Sequence, residues 1–176
     1  MLNLTRLSAR LAHIHPAIFL ALCLAWLIVP SALPTISFSV LGGVLFLLNF
    51  VVGPLWTHGV YSTSVLAKGR PARWQTIFIA SETLCLLTAA SFFIAPVPDG
   101  EMIAEVSKYL AYAFFGLQFG AWWIATREFV SVPRGDNSPG WVHNPAAVYW
   151  LLWAAPIGVW VLRSHLSELK RSPPTG

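Results

Sequence analysis

The sequence predicts an all-α integral membrane protein. The expected architecture is a helical bundle of four transmembrane helices plus a fifth apolar segment, spanning or interfacial. Three observations lead there. Hydrophobic residues make up 56% of the 176 residues and charged residues only 10%, where a soluble domain carries about 25%. No charged side chain occurs between Arg10 and Lys68. Apolar stretches, most of them near the roughly 20 residues that cross hydrocarbon, alternate with short turns rich in proline or charge. Residues 1–176 therefore read as one transmembrane domain.

The formal charge is +4. The basic residues flank apolar segments, which points to anionic lipid head groups rather than nucleic acid. Cys23 and Cys85 both lie inside apolar segments and form no disulfide framework.

The elements follow in order. In residues 1–15, Leu4, Leu7 and Leu11 are spaced three and four apart, as in a short interfacial helix. Arg6 and Arg10 before an apolar run also fit a signal peptide, but no convincing small-residue cleavage site follows. Asn3-Leu4-Thr5 matches a glycosylation acceptor, usable only on a lumenal N-terminus. The first span is expected over 16–29, before the turn Pro30-Ser-Ala-Leu-Pro34. The second, 36–56, is ended by Gly53-Pro54, because proline cannot continue the helical ladder. A loop with Lys68, Arg70 and Arg73 then reaches the third span, 74–95, within the apolar stretch Trp74–Val97. Pro96 and Pro98 close it, and Asp99, Glu101, Glu105 and Lys108 occupy the next loop. The fourth span is 109–126. The fifth segment, 145–162, has Pro156 near its middle and Trp150, Trp153 and Trp160 along it.

The eleven Lys and Arg set the orientation. With the N-terminus cytoplasmic, Arg6, Arg10, Lys68, Arg70, Arg73, Arg127 and Arg134 are inside and Lys108 is outside. If the fifth segment spans, Arg163, Lys170 and Arg171 are outside too, giving seven against four. If it does not, the division is ten against one. The positive-inside rule favours the second arrangement, whereas hydropathy lets the segment insert.

Glu82 does not belong in hydrocarbon: a carboxylate near the bilayer centre costs about 2.5–3.5 kcal/mol on insertion scales. Glu82 lies eight residues past Trp74, Gln118 eight before Thr126, and Asn49 seven before Trp56. All three therefore fall roughly 10–12 Å below the cytoplasmic interface. Facing inward, they would form a polar layer and share hydrogen bonds. Such a layer either fixes helix register or handles protons at Glu82; alternatively the three face different ways. Gly116 and Gly120 form a GxxxG pair suited to close helix packing. Gln118 lies roughly 160–200° from them around the helix, so a core-facing Gln118 turns the glycines to the fifth segment or another subunit.

His13, His15, His58, His143 and His165 sit near span ends, where they read as interfacial side chains rather than haem or metal ligands. No metal or other cofactor is expected. Trp56, Trp74 and Trp141 fall at expected inner boundaries, like an aromatic belt. Lys68, Arg70 and Arg73 are the expected lipid head-group contacts. No phosphate loop, nucleophile elbow or paired catalytic carboxylates occur.

The run SETLCLLTAASFFIAPV, a short polar turn and KYLAYAFFGLQFGAWW resemble the MARVEL-type four-span membrane proteins. The resemblance covers spans three and four, and the strong fifth segment departs from it. It implies cytoplasmic N- and C-termini and a membrane-organising role without catalysis. The expected function is thus that of a non-enzymatic multi-pass protein, membrane-organising or an accessory subunit of a membrane complex. Its expected partners are the lipid bilayer and a homo-oligomer or larger membrane complex. The alternatives, both using Glu82, are a membrane-embedded enzyme on a lipophilic substrate and a small proton-coupled transporter.

Overall fold

The computed structural model describes residues 2–22, 24, 38–94, 101–134 and 138–171. It is all-helical, without strands among the described residues. Helix α1 is Leu2–Leu11, α2 Phe38–Ala67, α3 Gln75–Ile94, α4 Glu101–Val130, α5 Pro145–Trp153 and α6 Ala155–Arg171. Residues 16–22 are also helical. Among the described residues no helix is long and apolar enough to cross a membrane. The first three expected spans run partly through side chains outside that description, at 25–29, 38–49 and 92–95.

α1 forms where its leucine spacing places a helix, but with the opposite face inward. Leu4, Leu7 and Leu11 are exposed, while Thr5, Ser8 and Ala12 are buried. The small side chains let α1 lie closely on α2. A Cβ added at Gly59 of α2 would stand 2.5 Å from the Ala12 nitrogen and 2.9 Å from the Ser8 carbonyl oxygen. Only glycine tolerates so close a backbone approach.

α2 does not stop at Pro54 but runs through it to Ala67. Proline removes the N–H that the Phe50 carbonyl would accept. The Cys85 thiol of α3 donates to that carbonyl at 3.3 Å instead. The Thr57 hydroxyl donates to the Gly53 carbonyl at 3.0 Å. The expected loop at 57–67 is therefore helix. Its end is a left-handed glycine, Gly69 at φ 62°. The Gly69 N–H donates to Leu66 O at 3.0 Å and the Arg70 N–H to Val65 O at 3.2 Å, closing the last carbonyls as such C-caps do. α4 likewise exceeds the expected 109–126 at both ends. On its first turns Glu105 and Lys108 form an exposed i,i+3 pair at 3.9 Å.

The fifth segment is not one helix. Asn144 caps α5 by accepting from Ala146 N and Ala147 N at 2.9 and 3.4 Å, with Pro145 at the first position, where its missing N–H matters least. α5 breaks at Ala154 (φ −86°, ψ 54°). A Cβ at Gly158 would meet the Leu151 carbonyl oxygen at 2.0 Å, so the bend requires glycine. Beyond it α6 turns back. The His165 ring stands 5.2 Å from Trp141. In a straight helix those residues would be roughly 36 Å apart. α5 and α6 thus make a V, and the 3-10 turn Gly140–His143 that precedes α5 meets α6 at His165.

The V packs against α2 and α4. Tyr149 meets Trp122 and Trp123 edge-on at 6.3 and 6.4 Å. Trp56 is buried between Phe19, 6.0 Å away edge-on, and Gly158. It is a core residue rather than part of an interfacial belt. Phe129, Leu152, Val159 and Leu162 complete this core.

Candidate functional site

Glu82 lies on α3 and faces α2. The continuation of α2 past Pro54 places His58 opposite it, four residues on. His58 Nδ1 and Glu82 Oε1 are 2.7 Å apart, with the His58 side chain 3% exposed and that of Glu82 17%. Where Glu82 is a carboxylate, Nδ1–H donates to it and Nε2 is left for another partner. Among the described residues that buried Nε2 has no hydrogen-bond partner.

The pair is held by aromatic rings from the same two helices. Phe78, one turn before Glu82, stacks on His58 at 5.1 Å and 19°. It also stacks on Tyr61 at 4.5 Å and 21°. Tyr61 Oη accepts the Trp74 N–H at 3.0 Å, fixing the start of α3 against α2. Burial pushes the Tyr61 phenol above its ordinary value; the Trp74 N–H opposes the shift and the Glu128 charge adds to it.

Gln118 is buried, as an inward-facing layer requires. Its partner is not Glu82, however. Ser81 donates to Gln118 Oε1 at 2.6 Å, joining α3 to α4. The side chain of Asn49 lies outside the described residues. Ser81 and Glu82 are adjacent, so they leave α3 about 100° apart and reach different neighbours. The expected single layer is therefore replaced by two contacts on two interfaces. Gln75 supplies a third at the start of α3, where the Thr5 hydroxyl of α1 donates to its Oε1 at 3.2 Å. The amide nitrogens of Gln75 and Gln118 are buried and have no partner among the described residues.

Gly116 and Gly120 lie opposite Gln118, with nothing within 4 Å of a Cβ built on either. They do not contact the fifth segment. Lys68 is not a head-group contact: it pairs with Glu128 of α4 and donates to the Ser131 hydroxyl at 2.9 Å. Arg70 and Arg73 are exposed. Arg134 donates to the Phe129 carbonyl at 2.9 Å and covers that ring at 4.2 Å. Burial lowers its guanidinium from the ordinary value, and Glu168 opposes that.

His58 is not legible as a site residue in the sequence, because Pro54 signals the end of its helix. The recoverable signal is a run of small and polar residues at helical spacing, Gly59, Ser62 and Thr63, which marks a packed helix beyond Pro54. Chemically, the pair can hold and exchange one proton between an imidazole and a carboxylate. No group of three or more His, Cys, Asp or Glu able to hold a metal occurs among the described residues.

No protein-family model matches the chain. No curated protein and no solved structure matches it either.

Proposed function

We propose that the chain is a non-enzymatic multi-pass membrane protein, a four-span bundle acting as a membrane-organising protein or an accessory subunit of a membrane complex. The observation that carries this is an inverted surface. Leu7 is 59% exposed and Leu86 and Leu87 50% each, together with Phe115, Phe119 and Trp123. Thr5, Ser8, Ser62, Thr88, Gln118 and Thr126 are buried. Water favours the reverse. Lipid favours small and polar residues between helices and apolar ones outside. The V at 145–171 supports the four-span count, because a segment that folds back on itself suits a re-entrant element. Arg163, Lys170 and Arg171 then join the basic cytoplasmic side. The likeness of spans three and four to MARVEL-type proteins points the same way.

The test is extraction of the full chain from host membranes. Retention through an alkaline carbonate wash, with release only by detergent, is the expected result. Release into the carbonate supernatant sinks the proposal.

A second reading, proton handling at Glu82 in a transporter or an enzyme on a lipophilic substrate, is favoured by one observation: the buried, unpartnered Nε2 of His58. Glu82→Gln keeps the hydrogen bond and removes the ionisable group. Proteoliposomes of wild type and variant that carry equal proton flux eliminate this reading; loss of flux at normal assembly establishes it over the first.

A further inference from the structure

The basic end of the bundle contains two adjoining cavities. One, about 380 Å³, is lined by Tyr61, Arg70, Arg73, Trp74 and Glu128 among others. The next, about 390 Å³, shares Arg70, Trp74 and Glu128 and adds Trp123, Arg127 and Ser131. Three guanidinium groups thus come to one groove from two separate elements, the α2–α3 turn and the last turns of α4. Among the described residues none of the three has an ion-pair partner. The carboxylate in the groove, Glu128, is neutralised by Lys68, which is itself only 5% exposed. The groove therefore has a net excess of positive charge.

Its walls are amphiphilic. Trp74 and Trp123, both about half exposed, flank the arginines. Trp123 also lines an open apolar recess of about 710 Å³ with Pro145, Tyr149 and Trp150. A charged groove thus continues into an aromatic one.

We propose that this groove is a binding site for the head group of an anionic phospholipid. The phosphodiester would lie among Arg70, Arg73 and Arg127, and an acyl chain along Trp123, Tyr149 and Trp150. Guanidinium forks match phosphate oxygens in pairs. Tryptophan is favoured at the head-group level, with its ring partly in hydrocarbon. The proposal rests on the membrane reading above and goes beyond it by locating a discrete lipid site and assigning Arg127, instead of Lys68, to it.

The test uses the full chain purified in detergent, with native mass spectrometry of bound lipid. Phosphatidylglycerol is titrated against phosphatidylcholine, alone and with millimolar inorganic phosphate. The expected result is preferential retention of phosphatidylglycerol. Each Arg→Gln at 70, 73 or 127 should weaken it about fivefold, and the triple variant on the order of 100-fold. Arg163→Gln, exposed on α6 and lining neither cavity, should change nothing. Equal retention of both lipids, or retention unchanged in the triple variant, overturns the proposal. So does displacement of the lipid by inorganic phosphate alone, which would make the site one for free anions. If the triple variant does not elute as a single species, the three single variants decide by the same criterion. A chain that resists carbonate extraction yet shows no lipid preference loses this site while keeping the membrane reading; a chain released by carbonate loses both.

Discussion

At the scale of residues, the polar contacts of this chain are divided among helix pairs. Thr5–Gln75 joins α1 to α3, His58–Glu82 joins α2 to α3, Ser81–Gln118 joins α3 to α4, and Lys68–Glu128 joins the turn after α2 to α4. Each specifies which face of one helix meets which face of the next. Tyr61 shows how such a contact responds to pH. Its phenol is raised by burial and is neutral in the fold. The contribution of that neutral phenol to stability is present below the ordinary tyrosine value of about 10 and is lost as pH rises through the raised one. Wild type should therefore lose thermal stability above about pH 10 more steeply than Tyr61→Phe, while at neutral pH the variant is weaker by about 1 kcal/mol for the lost Trp74 bond. Parallel alkaline profiles of the two proteins would remove this account. Glu82 and Gln118 were legible as polar residues at one height on neighbouring helices. Their partners were not, because depth fixes height along a helix and leaves azimuth open. One residue of difference, Ser81 against Glu82, changes the neighbour.

At the scale of elements, glycine separates packed helix faces from open ones. Gly59 sits under the α1 backbone, whereas Gly116 and Gly120 face open space. Gly59→Ala should push α1 away and destabilise the protein by about 1–3 kcal/mol, as overpacking does. Gly116→Ala should be neutral or stabilising by up to about 1 kcal/mol through helix propensity. Unfolding of both variants in a common detergent measures the contrast; if Gly116→Ala is the more damaging, another helix covers that face. The element boundaries read from sequence failed where a side chain repaired the backbone. Pro54 takes a donor from the Phe50 carbonyl, and Cys85, remote in sequence, supplies another. The leucines of α1 correctly indicated a helix, but their outward direction depends on which solvent surrounds the bundle.

At the scale of the whole molecule, the all-helical class was visible in composition and in the spacing of apolar runs. The course of the fifth segment was not. Its hydropathy suits a span, and the bend at Ala154 depends on Gly158 lying against the Leu151 carbonyl, a contact that only the fold reveals. Under the proposed membrane reading, a segment that returns puts ten of the eleven Lys and Arg on one side, as the positive-inside rule expects. A reporter fused after Gly176 should be on the same side as one inserted at Gly69. Reporters on opposite sides would rule out the return.

The burial of Trp56 also sets a schedule. Its ring is closed on one side by Phe19 and on the other by Gly158, which is made 102 residues later. At ribosomal speeds of about 5–20 residues per second, roughly 5–20 s separate the two events. Throughout that interval a growing chain has the α2 surface that receives the V uncovered. A transcript truncated before residue 145 would make that condition permanent, and its product should be recognised by quality-control proteases as unfinished. The V is in this sense made later than the ring it encloses.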